Sequence, residues 1–192
     1  MKNQFLFLLF INAILFSCKE NPADNEITFK FLQVNDVYEI APLSGGEFGG
    51  MARVAHVSDS IKKENPNTFL FMAGDFLNPS LLGTIKIDGE RIYGKQMIEV
   101  MNAMDFDLVT FGNHEFDLKE NDLQKRLNES TFPWMSSNTR HVTGDHTSFF
   151  KVQKERDTIS VTDTYTMNLK GENGKEITIG FLGVTLPSNP KE

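Results

Sequence analysis

Apolar and polar positions alternate at the start of Ile27 to Val34 (ITFKFLQV), a stretch rich in β-branched and aromatic residues, and a strand is predicted there. From Gly49 to Asn65 the spacing changes. Met51, Val54, Ala55, Val57 and Ile61 fall close to one helical stripe. Thr68 to Ala73 (TFLFMA) is a continuous apolar run of strand length, Lys95 to Met104 reads as a helix, and Asp107 to Phe111 (DLVTF) as a third strand. A charged helix with Leu118, Leu123 and Leu127 on one side is expected over Leu118 to Asn128, and a fourth strand over Phe132 to Asn138. Helices between short apolar strands imply crossover connections and a sheet covered on both faces, so the fold class is α/β. Beyond Asn138 the character changes. FFKVQ, SVTDTYTMNL and EITIGFLGV, the last two around a Gly171 to Gly174 turn, predict mostly antiparallel strands, and TRHVTGDHT before them reads as a polar loop.

Composition narrows the class. A chain of 192 residues suits one domain, and 40% apolar residues with 17 Phe supply its core. The net charge of −7 comes without a basic stripe, which sets aside a nucleic-acid polymer as partner. The same acidity suggests that any phosphate is handled by metal ions rather than by a basic pocket.

The single cysteine, Cys18, excludes an internal disulfide framework, and its surroundings matter more. A short positive stretch, Met1 to Gln4, precedes an apolar run, Phe5 to Phe16, that is too short to span a bilayer. Ser17-Cys18 follows at once. The segment resembles a bacterial lipoprotein signal, although Phe16 is bulky for its position. Residues 1–17 are then the signal, 18–26 a polar tether, and 27–192 the folded part. Lipidation of Cys18 implies a protein of the bacterial cell envelope, anchored to a membrane and either periplasmic or surface-exposed.

Each predicted strand of the first half runs into polar chemistry. Asn35-Asp36-Val37-Tyr38 follows the first, Gly74-Asp75 the second, Gly112-Asn113-His114 the third and Ser136-Ser137-Asn138 the fourth. In an open α/β sheet the carboxyl ends of the strands converge on one edge, where sites assemble. Carboxylate, amide and imidazole groups suit divalent cations. One bridging carboxylate can hold two cations at roughly 3.5–4 Å, close enough to clamp both oxygens of an in-line phosphoryl displacement and to acidify a shared water. Taken singly, Gly-Asp and Gly-Asn are also common strand-end turns.

Together these residues are specific. Gly74-Asp75, then Gly112-Asn113-His114-Glu115-Phe116-Asp117, with Asn35-Asp36 upstream, resemble the calcineurin-like metallophosphoesterase superfamily. Gly49-Gly50-Met51-Ala52-Arg53 and the signal resemble its bacterial 5′-nucleotidase and 2′,3′-cyclic-nucleotide phosphodiesterase branch. The resemblance implies a metallophosphoesterase-type sheet sandwich covered by helices, two divalent ions (Zn, Mn, Co or Mg), and hydrolysis of nucleotides or other phosphoesters. It implies that Asp36 binds the first metal, Asp75 bridges both and Asn113 binds the second. It implies too that His114 faces the phosphate while Asp117 orients the imidazole.

Two departures qualify this. The opening motif of the superfamily carries a histidine where this chain has Tyr38. Three roles are open for that phenol: phenolate ligand, packing or hydrogen-bonding neighbour, or mark of a weakened first site. The later histidine ligands have no counterpart either, since His141 and His146 lie in the polar stretch and His56 in a helix. An N-terminal part of a metallophosphoesterase domain is therefore expected, without the second half of the metal site or the C-terminal nucleotide-binding domain, and inactive alone. The alternative is a non-catalytic metal- or phosphate-binding envelope lipoprotein. The Gly-rich Ser44 to Gly50 reads as a turn rather than an anion cradle.

Overall fold

The computed structural model describes residues 26–171 and 174–187, so the signal and Cys18 lie outside the described residues. Strand β1 (Lys30–Val34) leads through a Gly-rich loop into helix α1 (Met51–Glu64). That helix stops at Asn65 because Pro66 disfavours helical geometry in the residue before it. Lys62 and Lys63 occupy its last turn, beside the carbonyl end of the dipole. After β2 (Thr68–Met72) come a small hairpin of β3 (Lys86–Ile87) and β4 (Glu90–Arg91), helix α2 (Lys95–Ala103) and β5 (Leu108–Thr110). A 3-10 turn at His114–Asp117 precedes helix α3 (Glu120–Glu129) and the short β6 (Trp134–Met135).

These strands form a four-stranded sheet in the order β1-β2-β5-β6, parallel at every pairing. Because this order follows the chain, every crossover steps the same way, and right-handed crossovers then bring the helices to a common face. Met51 of α1, Met97, Ile98 and Met101 of α2, and Leu123 and Leu127 of α3 join Leu70, Met72 and Val109 in one core cluster. Each such side chain contributes about 1.5–3 kcal/mol through burial. Trp134 belongs to the same cluster, and its indole N–H donates to Ser130 Oγ at 2.8 Å.

The second face is partly covered by strands, as in a sheet sandwich, and Phe31 there stays 41% exposed. Its cover is aromatic: the rings of Phe31, Phe71 and Phe181 meet with centroids 5.0–5.5 Å apart. Phe181 comes from the long antiparallel pair β11 (Thr164–Lys170) and β12 (Glu176–Leu182). A shorter pair, β9 (Lys151–Gln153) and β10 (Thr158–Ser160), precedes it.

Two local expectations are corrected. TRHVTGDHT is a hairpin of β7 (His141–Thr143) and β8 (His146–Ser148), in register His141 to Ser148, rather than a loop. Gly144 and Asp145 form its two-residue turn, and its polarity only reflects a ribbon whose strands are mostly exposed. Helix α3 starts two residues late because Leu118 is extended (φ −69°, ψ 152°), although its side chain is still buried.

Candidate active site

Three adjacent strand tips build the site. Asp36 lies just beyond β1, Asp75 beyond β2, and Asn113 and His114 beyond β5, so the sheet order alone makes them neighbours. The Asp36 amide donates to the Gly74 carbonyl at 3.2 Å, tying the first tip to the second. The second and third tips touch more closely still. A Cβ on Gly74 would fall 2.2 Å from the Gly112 nitrogen, and one on Gly112 would fall 2.1 Å from Asp75 Oδ1. Gly74 also sits at φ 88°, so this crossing of two backbones requires glycine on both sides.

The aspartates themselves adopt left-handed backbone, Asp36 at φ 55° and Asp75 at φ 59°. Such a conformation costs a residue with a Cβ roughly 1–2 kcal/mol, and aspartate tolerates it better than most. Asp75 Oδ1 accepts the His114 amide at 2.8 Å. Asp36 accepts from Asn35 Nδ2 at 2.6 Å and from the Tyr38 hydroxyl at 3.1 Å. The Tyr38 ring stands edge-on to His114, centroids 6.0 Å apart. His114 Nδ1 lies 2.8 Å from Asp117 Oδ2, and Asn78 Nδ2 donates to the same oxygen at 3.3 Å.

The electrostatics follow from these contacts. The hydrogen bond with Asp117 raises the His114 pKa above its ordinary value; partial burial opposes this and the charge of Asp75 adds to it. Burial, then the charge of Asp75 and the bond to Asp36, push the Tyr38 phenol far above its usual value. The contact that the structure shows for this phenol is its hydrogen bond to Asp36.

Glu115 received no role from sequence. It is fully buried, and four backbone amides converge on it: Phe76 and Leu77 on Oε1, Asp75 and Gly112 on Oε2. Burial pushes its carboxyl up, and the four amides act in the opposite sense. No local pattern marks that role, because Asp75, Phe76 and Leu77 stand 38 to 40 residues away.

The fourth strand tip, and the histidines and Gly-rich loop already set aside, stand apart from these three tips. Beyond β6, Ser137 N–H donates to the Gly183 carbonyl, and Asn138 exchanges bonds with the Thr185 backbone, so the fourth tip is tied to the end of β12. His141 stacks on Phe150 with centroids 4.9 Å apart, and its Nε2 is 2.8 Å from Glu120 Oε1. His56 and His146 are exposed. Arg53 donates to the carbonyls of Gly46 and Gly49, which pins the Gly-rich loop onto its own helix as a turn.

Among the described residues no group of three or more His, Cys, Asp and Glu forms a ready metal cluster. The tips instead offer two carboxylates and one amide oxygen. That hard-oxygen set fits part of the shell of a divalent cation, with the remaining positions to be filled from outside it.

The family model of the calcineurin-like phosphoesterases matches residues 29–177. The chain belongs to the calcineurin-like phosphoesterase family. Among its relatives, the trifunctional nucleotide phosphoesterase YfkN of Bacillus subtilis is 28% identical over 144 residues, which cover 72% of this chain and 9% of that protein. The human 5′-nucleotidase is likewise 28% identical over 144 residues, covering 69% of this chain and 23% of the relative. A crystal structure of YfkN superposes with TM-score 0.60 at 25% identity, over 82% of this chain and 48% of that one. The 5′-nucleotidase precursor of Thermus thermophilus shares the fold, with TM-score 0.60 at 21% identity over 84% of this chain and 30% of its own. This phosphoesterase chain thus spans less than a quarter of the length of either curated relative described.

Proposed function

We propose that this phosphoesterase takes part in metal-dependent hydrolysis of nucleotides or related phosphoesters, with Asp36, Asp75 and Asn113 as ligands and His114 as the catalytic residue. The observation that carries the reading is the meeting of three strand tips through the Asp36 to Gly74 and Asp75 to His114 bonds. Relatives described as nucleotide phosphoesterases and 5′-nucleotidases support the substrate class. Two divalent cations, when bound at the rim, would supply charge neutralisation and acidify a water. Asp36, Asp75 and Asn113 would hold them, with Asp75 as the carboxylate shared between the two. The imidazole, whose pKa the bond to Asp117 raises, would donate to a phosphoryl oxygen as negative charge grows there; deleting such a donor costs about 10²–10³ in turnover. Asp117 itself orients the ring. Lipidation of Cys18 would keep the protein at a membrane of the cell envelope, an assignment that rests on the sequence pattern alone.

The test is a phosphatase assay of the protein as its gene encodes it, against nucleoside monophosphates, with Mn²⁺, Co²⁺ or Zn²⁺ and with chelator. Hydrolysis that chelation abolishes, and that Asp75→Asn reduces at least a hundredfold, is expected. Hydrolysis indifferent to chelation, or none at all, refutes the reading. Mn²⁺ binding without hydrolysis instead selects the binding lipoprotein, a reading favoured by the Tyr38 hydroxyl standing on Asp36.

A further inference from the structure

We infer that Glu115 is a positioning residue whose buried carboxylate sets the separation of Asp75 from Asn113, and with it the affinity of the rim for divalent cations. The inference rests on the metal-dependent reading above. One carboxylate oxygen of Glu115 touches both tips at once. Glu115 Oε2 accepts the Asp75 amide at 2.8 Å and the Gly112 amide at 2.6 Å, and Asn113 is the residue after Gly112. Its other oxygen accepts Phe76 at 2.8 Å and Leu77 at 3.1 Å, so the chain just past Asp75 is held from the same side.

The geometry demands a carboxylate. Bonds from neutral amides to an ionised acceptor are shorter and roughly twice as strong as neutral pairs, and here four share one acceptor group. Glutamine offers one oxygen; its amide nitrogen would turn two N–H groups toward two others, leaving a pair of buried donors unsatisfied. Aspartate keeps the charge but falls short by one methylene, about 1.5 Å, so it cannot span both tips. The Asp75 side chain makes the one further link between these tips that bears on the gap, through the His114 amide, and it belongs to a residue whose own amide Glu115 holds. Supporting groups around metal ligands characteristically cost 10–100-fold in affinity when replaced.

Two measurements on the full chain test this: calorimetric titration with Mn²⁺ alone, and amide hydrogen exchange by NMR in metal-free buffer. In the wild type the amides of Asp75, Phe76, Leu77 and Gly112 should exchange slowly, and so should His114, which reports its bond to Asp75 Oδ1. Glu115→Gln should bind Mn²⁺ about 10–100-fold more weakly and lose protection at His114, while the amides of β1 and β2 keep theirs. A folded Glu115→Gln chain with wild-type Mn²⁺ affinity and a protected His114 amide overturns the inference. If that variant does not fold, Glu115→Asp takes its place with the same expectations. If neither folds, the carboxylate supports the whole fold and the positioning role is overturned. A wild-type chain without Mn²⁺ affinity sinks the metal-dependent reading and the cation part of this inference with it, and the His114 amide still decides whether Glu115 sets the tips.

Discussion

Replacing Gly74 by alanine tests the crossing of strand tips, and Gly89 provides a matched control. The two glycines share the same backbone, φ 88° and 87°. They differ in surroundings. A Cβ at Gly89 meets nothing within 4 Å, whereas one at Gly74 meets the Gly112 nitrogen at 2.2 Å, its Cα at 2.5 Å and the Phe111 carbonyl carbon at 2.8 Å. Both substitutions carry the left-handed cost of about 1–2 kcal/mol. Only Gly74→Ala must also push backbone aside by more than an ångström, against two parallel strands anchored in the core, which adds at least 1–3 kcal/mol. Gly74→Ala should therefore lose about 2–5 kcal/mol and Gly89→Ala about 1–2 kcal/mol. For a domain of this size each kcal/mol lowers Tm by roughly 2–4 °C, so the two variants should separate clearly in thermal melts. Urea unfolding followed by circular dichroism gives the free energies directly. Equal losses in the two variants would refute the claim that the tips touch through Gly74.

Three shorter predictions accompany it. Because Asp117 raises the His114 pKa, the imidazolium persists to higher pH than for an ordinary histidine, and any stability it confers is full at low pH and fades as pH rises through the raised value. NMR titration should therefore place its midpoint above about 6.5, and Asp117→Asn should move it down; an unmoved midpoint would break the pairing. Phe111→Ala should cost about 3–5 kcal/mol, and Trp134, whose ring lies 4.9 Å away and which is the only tryptophan, should report the loss by fluorescence; a change under 1 kcal/mol would contradict its central packing. Tyr38→Phe should weaken Mn²⁺ binding by less than about tenfold, as expected for one exposed hydrogen bond, where loss of a phenolate ligand would cost far more.

Much of this protein could be read before its coordinates. Apart from the small exposed hairpin of β3 and β4, the order of strand and helix in residues 27–138 follows from apolar spacing, since periodicity records which face of each segment is buried. The chemical identity of the site was equally local: Gly74-Asp75 and Gly112-Asn113-His114 stand where apolar runs end, and the family match over residues 29–177 agrees with the resemblance they carry. The hairpin at His141–Ser148 escaped because exposed strands leave no apolar signature, and the late start of α3 because Leu118 is buried without being helical.

Only the tertiary structure decided how those segments meet. The sheet order makes Asp36, Asp75 and Asn113 neighbours, while the fourth tip, which reads the same way in sequence, is tied to the end of β12. Glu115 reaches amides 38 to 40 residues away, and Gly74 matters because of a backbone contact with Gly112. Apolar periodicity is a property of neighbours along the chain. Hydrogen bonds and steric contacts between distant strand tips exist only once the sheet has formed, so no local pattern encodes them.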